Sequence, residues 1–564
     1  MKIAVAQQNY IIGDFDYNRN KIIGAIEQAK SQNVELLIFS ELSICGYPPG
    51  DLLEFSGFIE KCYESVEIIK KHTNGIGVIL GTPQRNPKIE GKDLFNSALL
   101  IYDGQTLGTA HKSLLPTYDI FDEYRFFEPS PQWSVIEFKG ERIALTICED
   151  IWNLTDNPLY PITPMDLLAR HQPTMLINIT ASPFDYDHDD DRKEIILANI
   201  NRYHLPIIYC NAVGAQTEII FDGGSLVFNK SGGLTKEMKY FEEDLYVFNS
   251  SDLFSTANSS GYQFVETRAS RLSNREQVMT FITKDKNIAQ IYDALILGIR
   301  DYFAKMGFKK AILGASGGMD SALVQVLAVQ ALGKENVHAL LMPSGFSSTH
   351  SISDAQQLAQ HLGHSFDIIQ IQEIYQSYLT SLHPLFNNLP FNVAEENIQS
   401  RVRGNLLMGI SNKFGHILLN TSNKSELAVG YGTLYGDMAG GLSVLGDIYK
   451  TQIYALAKYI NKDEEIIPFN ILNKPPSAEL RPGQKDTDSL PPYHLLDRVL
   501  YEHIEMKKDP IDIVAAGFQS ELVSRVIKLV ANAEYKRHQF CPILRISRKA
   551  FGIGRRIPIV SRYF

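Results

Sequence analysis

The sequence AILGASGGMDSALV, residues Ala311–Val324, joins an apolar run to a helical pattern through a glycine-rich turn. The apolar run predicts a strand that ends in Ser316-Gly317-Gly318, and a helix is predicted to begin near Asp320-Ser321. Glycines let the backbone turn tightly and expose its N–H groups, and the start of a helix attracts an anion. The turn is not a Walker A loop, because no Gly-Lys-Ser/Thr follows at the required spacing. A plain glycine turn is the alternative, but Asp and Ser at the helix start favour a phosphate-binding loop.

An alternation of strands and helices surrounds this loop and predicts a doubly wound parallel sheet. The predicted elements are strand Lys310–Ala315, helix Asp320–Leu332, strand Val337–Met342, helix Ser353–Leu362 and strand Phe366–Ile371. Further along the chain, the run Lys474–Pro492 is rich in proline and charge. We expect a loop over a site there rather than a helix.

The first half of the chain mixes β-rich apolar runs with helical patterns, which predicts an α/β layered sandwich. Two hairpins are predicted, Leu99–Gly108 and Gly224–Gly233, because Asp103-Gly104 and Ser231-Gly232-Gly233 supply turn residues. The predicted strands are Lys2–Ala6, Glu35–Ser40, Gly77–Gly81, Ser97–Tyr102, Arg142–Cys148, Thr174–Ile179 and Pro206–Cys210. The predicted helices are Asn18–Ser31, Gly57–Lys71 and Arg192–Tyr203.

The length of 564 residues predicts two to four domains. A polar, weakly periodic stretch from about 249 to 284 is interpreted as a connection. We therefore predict domains at 1–265 and 285–564, joined by a connection at 266–284.

The overall composition excludes several classes of protein. A net charge of −10 gives no general attraction to nucleic acid or anionic lipid, so a nucleotide site has to be a local pocket. No run of about 18 uncharged apolar residues predicts a membrane span, and the N-terminus lacks the pattern of a secretory signal. The five cysteines have no metal-ligand spacing and predict a reduced, cytoplasmic protein.

Three segments of the first half carry candidate chemistry. They are FSELSICGYPPGDLL with Glu41, AHKSLLPTYDIFDEYRFFEP with Lys112, and ALTICEDIW with Cys148. Cys148 lies at the end of an apolar strand, a position at which a sulfur atom can be accessible to substrate. Covalent amide hydrolysis needs a thiolate, a base and a cation or donor for the oxyanion, and these three residue types meet those needs. Each residue alone has an ordinary alternative, namely a buried apolar cysteine or a surface charge.

The segment SGGMDS in the second half resembles the loop of the N-type ATP pyrophosphatases, which activate a carboxyl or carbonyl oxygen by adenylation. Three further segments are similar to NAD synthetases: AEENIQSRVRGNLLM from Ala394, LNTSNKSELAVGYGTLYGD from Leu419, and YKRHQF from Tyr535. The resemblance implies that ATP is bound by Gly314, Ala315, Ser316, Gly317, Gly318, Met319, Asp320, Ser321 and Thr421. It implies that deamido-NAD is bound by Asn397, Glu426, Tyr431, Gly432, Thr433, Leu434 and Lys536. Mg²⁺ is the implied cofactor, with Asp320 and Glu426 as candidate ligands.

The set Glu41, Lys112 and Cys148, in this order, resembles the nitrilase superfamily, and specifically the glutaminase domain of glutamine-dependent NAD synthetases. The resemblance implies a general base (Glu41), a lysine that stabilises the tetrahedral intermediate (Lys112) and a thioester-forming cysteine (Cys148). It also implies a supporting carboxylate, Glu123, and glutamine contacts from Tyr118, Ser182 and His188. His188 stands where many relatives have lysine.

The whole resemblance predicts an α/β enzyme with a nitrilase-like sandwich followed by a doubly wound ATP pyrophosphatase domain. Its expected substrates are deamido-NAD, ATP, and glutamine or ammonia, and we expect a homo-oligomer. Ammonia has to reach an acyl-adenylate unprotonated, which predicts a passage between domains. Three alternatives are another adenylating amidotransferase, such as one that makes GMP or asparagine, a nucleotide-sensing regulator with degenerate domains, and a free-standing amidase with a structural appendix.

Overall fold

The computed structural model describes residues 1–154, 158–254 and 277–563. The chain divides into two compact units, Met1–Arg268 and Ala269–Phe564. The point of division lies outside the described residues, as does the part of the predicted connection from 266 to 276. The rest of that connection contains a short helix, Gln277–Ile282. The exact domain limits therefore stay a prediction.

The first unit contains two mixed six-stranded sheets. Its strands are β1 (Lys2–Gln7), β2 (Leu36–Ile38), β3 (Gly77–Arg85), β4 (Leu94–Tyr102), β5 (Gln105–His111), β6 (Ile136–Phe138), β7 (Glu141–Ile147), β8 (Met175–Thr180), β9 (Ile207–Asn211), β10 (Val213–Gln216), β11 (Ile219–Asp222), β12 (Leu226–Phe228), β13 (Leu234–Glu237) and β14 (Asp244–Asn249). Its α-helices are α1 (Phe15–Ser31), α2 (Ser56–Lys70), α3 (Pro164–Leu168) and α4 (His188–Tyr203).

Each of these sheets has a parallel centre and antiparallel edges. The first sheet has the order β14-β1-β2-β3-β4-β5, in which β1, β2 and β3 are parallel. The second has the order β13-β12-β9-β8-β7-β6, in which β7, β8 and β9 are parallel. The strands β10 and β11 form a separate antiparallel ribbon. Parallel neighbours have their carboxyl ends at the same edge, so side chains that follow these strands converge there.

Successive side chains of each strand point to opposite faces of its sheet, and this alternation produces the layers of the first unit. Ile3 and Val5 of β1 belong to the core shared by the two sheets, whereas Ala4 and Ala6 belong to the core beneath α1 and α2. The outer face of the second sheet packs against α3 and α4 through a third core. The layers are thus helix, sheet, sheet, helix, and the predicted α/β sandwich is confirmed.

Both predicted hairpins form. The strands β4 and β5 pair with Leu100 opposite Gly108, and Asp103 and Gly104 both have positive φ, 47° and 76°. The second hairpin is built from β12 and β13, with Gly232 at a φ of 81° in the turn.

The second unit has one parallel sheet, with the order β17-β16-β15-β18-β19. Its strands are β15 (Lys310–Gly314), β16 (Val337–Leu341), β17 (Ser365–Ile368), β18 (His416–Asn420) and β19 (Leu442–Ser443). The chain runs from β15 outward to β17 and returns to the other side of β15 as β18, which is the doubly wound topology that was predicted. In such sheets ligands bind at the carboxyl ends of the strands where the order reverses, here between β15 and β18.

Helices accompany this sheet along the whole second unit. They are α5 (Gln277–Ile282), α6 (Asp285–Met306), α7 (Met319–Leu332), α8 (Thr349–Leu362), α9 (Gln372–Phe386), α10 (Val393–Phe414), α11 (Lys424–Val429), α12 (Lys450–Ile460), α13 (Phe469–Asn473), α14 (Tyr493–Leu500), α15 (Pro510–Ala515), α16 (Ser520–Asn532) and α17 (Glu534–Arg537). The Pro-rich run Lys474–Pro492 is a loop between α13 and α14 with one short 3-10 turn, Asp486–Asp488, as predicted. Among the described residues, no helix combines the length and the apolar character that crossing a membrane requires.

Replacing Gly81 with alanine is expected to lower the free energy of unfolding of the first unit by about 1–3 kcal/mol. The added Cβ would lie 2.2 Å from the backbone nitrogen of Leu42, directly behind Glu41. Both tryptophans of the chain, Trp133 and Trp152, lie in this unit, so tryptophan fluorescence in urea reports on it alone.

The control is Gly24→Ala on the exposed face of α1, where a Cβ meets nothing within 4 Å. That substitution is expected to be neutral or to stabilise the unit by about 0.5–1 kcal/mol, because alanine restricts the unfolded chain. Equal urea midpoints for the two variants would contradict the close approach at Gly81.

Candidate active site

A buried lysine connects two carboxylates in the first unit. Lys112 Nζ lies 2.8 Å from Glu41 Oε1 and 2.7 Å from Glu123 Oε1. Glu41 follows β2, Lys112 follows β5, and Glu123 begins a one-turn 3-10 helix. All three side chains are buried. Two of the three segments predicted from sequence to share chemistry, those of Glu41 and Lys112, therefore meet at one edge of the first sheet.

Further polar groups fix the individual carboxylate oxygens. Asn96 Nδ2 donates to Glu41 Oε1 at 2.7 Å, and the backbone N–H of Ala181 donates to Glu41 Oε2 at 3.0 Å. Tyr47 donates its hydroxyl to Glu123 Oε1 at 2.7 Å. Neither Asn96 nor Tyr47 was predicted, because each is a single polar residue in an otherwise ordinary segment.

The pKa values of both Lys112 and Glu123 are raised in this cluster. Burial alone would lower the pKa of Lys112, but the charges of Glu123 and Glu41 raise it well above its usual value. Burial raises the pKa of Glu123 despite the neighbouring ammonium, and the charge of Glu41 adds to the rise. Lys112 is therefore a permanent cation, and Glu123 is a carboxyl that accepts protons more readily than a surface glutamate.

Cys148 lies at the end of a strand, as predicted. The strand β7 ends at Ile147, and Cys148 begins the 3-10 turn Cys148–Ile151 with a φ of 44°. A left-handed φ is uncommon for a non-glycine residue and occurs often at functional sites. Burial raises the pKa of the thiol well above its usual value; Glu41 and Glu149 raise it further, and Lys112 lowers it. At neutral pH the thiol is protonated, so attack on a substrate requires a base.

Glu149, next to Cys148, was not predicted. The hydroxyl of Tyr118 lies 3.0 Å from each of its oxygens, and the hydroxyl of Tyr160 lies 3.2 Å from Oε1. Burial raises the pKa of Glu149 to about 7 against the lowering effect of Lys112. The adjacent Asp150 accepts three backbone N–H groups and orders the turn instead. The sequence signal that could have indicated Glu149 and Asp150 was their position directly after Cys148.

The other two predicted glutamine contacts form a pair. Ser182 Oγ lies 3.1 Å from His188 Nε2, and the His188 ring stacks on Trp152 with centroids 5.4 Å apart. Ser182 follows β8 and His188 begins α4. The acidic stretch around His188 contributes Asp185 and Asp191 within 4.0 Å of its Nδ1. Two of the predicted glutamine contacts are therefore in contact with each other.

The glycine-rich loop of the second unit has the predicted form. Gly314 ends β15, Gly317 has a φ of 74°, and Met319 begins α7. A Cβ on Gly317 would lie 2.1 Å from the backbone oxygen of Ser351, so only glycine fits there. Ser321 Oγ donates to Gly318 O at 3.0 Å and closes the turn.

A pocket opens at the carboxyl ends of β15 and β18. Its lining includes most residues predicted to bind ATP: Gly314, Ala315, Ser316, Gly318, Met319, Asp320, Ser321 and Thr421. Glu426 and Tyr431 also line it, as do Lys474–Leu480 and Asp486 of the Pro-rich loop. The loop expected to cover a site therefore lies over this pocket.

The two candidate metal ligands converge on one lysine. Lys450 Nζ lies 2.5 Å from Asp320 Oδ2 and 3.4 Å from Glu426 Oε1. Burial raises the pKa of Glu426 to about 8, Lys450 opposes the rise, and Asp320 and Asp486 add to it. Two oxygen ligands of this kind fit a hard divalent cation, whose remaining ligands would be phosphate oxygens and water. Among the described residues, no larger cluster of His, Cys, Asp and Glu suits a metal ion.

The residues expected to bind deamido-NAD surround one turn. Thr433 Oγ1 donates to Asn397 Oδ1 at 2.8 Å. Lys536 Nζ donates to the backbone oxygens of Gly430 at 2.8 Å and Gly432 at 2.7 Å. The oxygen of Leu434 accepts from Arg401 Nε at 3.2 Å. Segments distant in sequence thus meet at Tyr431–Leu434, which gives the predicted residues a common location.

The chain matches two protein families. Residues 2–249 match the carbon-nitrogen hydrolase family, and residues 291–540 match the NAD synthase family. The glutamine-dependent NAD(+) synthetase of Synechocystis sp. is 44% identical over 100% of this chain and 99% of its own length. That of Thermotoga maritima is 40% identical over 100% of this chain and 99% of its own length. A solved structure of the Acinetobacter baumannii glutamine-dependent NAD+ synthetase in complex with ADP has 37% identity and a TM-score of 0.74, covering 99% of this chain and 98% of the other.

The fold and these matches define an enzyme in which a carbon-nitrogen hydrolase unit is joined to an NAD synthase unit. The chain belongs to the glutamine-dependent NAD(+) synthetase family. It is therefore a ligase of NAD biosynthesis. The alternatives of a different amidotransferase, a degenerate regulator and a free-standing amidase are wrong, because the likeness to these relatives extends through both units.

Replacing Lys112 with methionine is expected to lower the free energy of unfolding of the first unit by about 3–5 kcal/mol at neutral pH, because two buried carboxylates lose their cation. Without the ammonium, the pKa of Glu123 rises further above its unfolded value, so the folded variant is favoured when this group is protonated. The deficit should thus be small near pH 5 and grow as the pH rises to about 8, measured by tryptophan fluorescence in urea.

The control is Lys30→Met, which removes a surface partner of Glu27 at 3.4 Å. It should change stability little at either pH. A Lys112→Met deficit that does not vary with pH would contradict the proposed charge balance.

Proposed function

We propose that the first unit hydrolyses glutamine through a thioester on Cys148 and that the second unit uses the ammonia to amidate adenylated deamido-NAD. The products are glutamate, NAD, AMP and pyrophosphate. The observation that carries this proposal is the buried Lys112 cation held by Glu41 and Glu123 in the same unit as the strand-end thiol of Cys148. A thiol, a base and a fixed cation are the groups that amide hydrolysis by a covalent route needs.

In the first unit, Glu41 would accept the thiol proton as Cys148 attacks the glutamine amide carbon. The tetrahedral oxyanion would be stabilised by Lys112, whose raised pKa keeps it charged. The proton then passes from Glu41 to the leaving ammonia, and water releases glutamate from the thioester with Glu41 again as base. Tyr118, Ser182 and His188 would orient the glutamine.

In the second unit, the nicotinate carboxylate of deamido-NAD would attack the α-phosphorus of ATP. A carboxylate is a poor acyl donor, whereas an acyl-adenylate has AMP as a good leaving group. The loop Ser316–Ser321 would bind the phosphates, while Asn397, Lys536 and the turn Tyr431–Leu434 would bind deamido-NAD. Asp320 and Glu426 would hold Mg²⁺, which offsets the phosphate charge when bound.

The two reactions have to be coupled through neutral ammonia. Ammonium has no lone pair, so it cannot attack the adenylate, and water competes for the same intermediate. The Pro-rich loop Lys474–Pro492 would exclude water from the adenylate. A passage from Cys148 to the second site would keep the ammonia from being protonated and diluted.

An exposed apolar surface supports a homo-oligomer. The α9–α10 hairpin packs one face into a core of the second unit and exposes Tyr378, Leu385, Leu389, Phe391 and Val393. Of these, Leu385 is 78% exposed and Leu389 is 69% exposed. Large apolar side chains that are exposed along one hairpin support a protein–protein interface there, and a second copy of the chain is the expected partner.

Cys148→Ala should abolish glutamine-driven NAD synthesis and leave synthesis from ammonium largely intact. Asp320→Asn should reduce synthesis from both nitrogen sources by at least about a hundredfold, because Asp320 belongs to the site that both sources share. The measurement is NAD formation with glutamine or ammonium chloride, together with glutamate release. Loss of both activities in a folded Cys148→Ala variant would refute separate sites, and wild-type synthesis by Asp320→Asn would refute the phosphate-loop assignment.

Leu385→Glu combined with Leu389→Glu should shift the chain to a smaller species in sedimentation velocity. Association would bury two unpaired carboxylates in an apolar interface, and burying an unpaired charge costs free energy. The control is Ile511→Glu, a residue that is 76% exposed at the start of α15. If the double variant sediments like the control and the wild type, the hairpin is not the interface.

A further inference from the structure

The phosphate loop of the second unit has no lysine of its own. Its residues Ser316–Ser321 supply backbone N–H groups, hydroxyls and one carboxylate. A triphosphate carries several negative charges, and its β- and γ-phosphates usually meet a lysine or arginine as well as a metal ion. A cation for these phosphates therefore has to come from another segment.

Lys474, at the beginning of the Pro-rich loop, lies beside the phosphate loop. Its ammonium contacts Ser351 Oγ and lies 2.7 Å from Glu479 Oε1. The backbone oxygen of Ser351 in turn packs directly against Gly317. Lys474 and Ser351 both line the pocket together with Ser316 and Gly318. The ammonium is thus one residue away from the turn that holds phosphate.

Glu479 is a carboxylate surrounded by hydrogen-bond donors. Ser348 donates its backbone N–H at 3.2 Å and its hydroxyl at 3.1 Å, and Ser351 donates its hydroxyl at 2.8 Å. Lys474 adds a charged donor to Oε1, which also accepts both hydroxyls, whereas the backbone N–H donates to Oε2. An N–H, two hydroxyls and an ammonium are the donors that bind phosphate oxygens in proteins.

The other two basic residues that line the pocket have different partners. Lys450 is bound by Asp320 and Glu426. Arg403 donates its Nε to the backbone oxygen of Met342 at 3.0 Å, at the end of β16. Lys474 is instead paired with Glu479, a carboxylate five residues away in its own loop.

We propose that Lys474 binds the β- and γ-phosphates of ATP and stabilises the leaving pyrophosphate, and that Glu479 is the internal anion that it leaves when phosphate binds. This inference rests on the proposed function of the second unit. In the step concerned, a bond forms between the deamido-NAD carboxylate oxygen and the α-phosphorus, and the bond from that phosphorus to the bridging oxygen breaks. The bridging oxygen takes the electron pair and leaves as pyrophosphate with no proton transfer. Lys474 would offset the charge that collects on it.

The first test replaces Lys474 with methionine in the full chain. Ammonium-dependent NAD synthesis should show a KM for ATP and an inhibition constant for pyrophosphate about ten- to a hundredfold higher, because a charged hydrogen bond is lost. The KM for deamido-NAD should stay within a factor of about two to three. Lys474→Arg should restore most of the pyrophosphate affinity, since it keeps the charge. The control is Lys485→Met, an exposed lysine of the same loop that does not line the pocket.

The second test replaces Glu479 with glutamine, which removes the competing charge while keeping the size of the side chain. Pyrophosphate should then inhibit at a concentration about two- to fivefold lower than in the wild type. A purely structural role for the ion pair predicts the opposite, because both substitutions would weaken the loop and raise the inhibition constant.

Calorimetric titration of each full-length variant with magnesium pyrophosphate measures binding without turnover. Equal affinity for pyrophosphate in the wild type and Lys474→Met would overturn the inference. Weaker binding in Glu479→Gln would overturn the proposal that Lys474 leaves Glu479 when phosphate binds. A wild-type chain that binds pyrophosphate through Lys474 but releases none from ATP and deamido-NAD would contradict the proposed function instead.

Discussion

Burial of a lysine ammonium between carboxylates is the interaction on which the first unit's site depends. Taking one such charge out of water costs several kcal/mol, and the cost is offset only when its partners lie at hydrogen-bond distance. Lys112 meets this condition with Glu41 and Glu123 at 2.8 and 2.7 Å. Because Glu41 lies in one segment and both Lys112 and Glu123 lie in another, the charge balance fixes these two segments against each other. The same balance keeps the lysine charged.

The second unit contains two more buried lysines that are paired with carboxylates. Lys450 lies between Asp320 of the phosphate loop and Glu426 of α11. Lys424, which is fully buried, lies 2.9 Å from both Asp447 and Glu505 and donates to Ser547 Oγ at 2.8 Å. Through this second cluster the C-terminal segment is bound beneath the helix that carries Glu426. Buried lysines thus connect the phosphate loop to α11, and α11 to the C-terminal segment.

Parallel strands explain why the functional side chains come together at all. In the first unit Glu41, Cys148 and Ser182 each follow a parallel strand, and in the second unit the phosphate loop and Thr421 do so. The strand interiors are apolar because they are covered on both faces, so chemistry is confined to the residues just after them. Each unit therefore places its site at a carboxyl edge, although the two sheets have different topologies.

The sequence by itself determined the local features: the phosphate loop, both hairpin turns, the strand end at Cys148 and the Pro-rich loop. Those features depend on neighbouring residues, such as the glycine that alone tolerates a φ of 74° at position 317. Resemblance supplied the remaining candidates, including Lys112 and Lys536, with roles that still await measurement. Only the tertiary structure brought in Asn96, Tyr47, Glu149, Lys450 and Lys474, because a single polar residue carries no periodic signal. The pairing of each carboxylate with a particular lysine likewise depends on burial and on distances between residues that lie 11 to 130 positions apart in the sequence. Burial and distance exist only once the chain has folded.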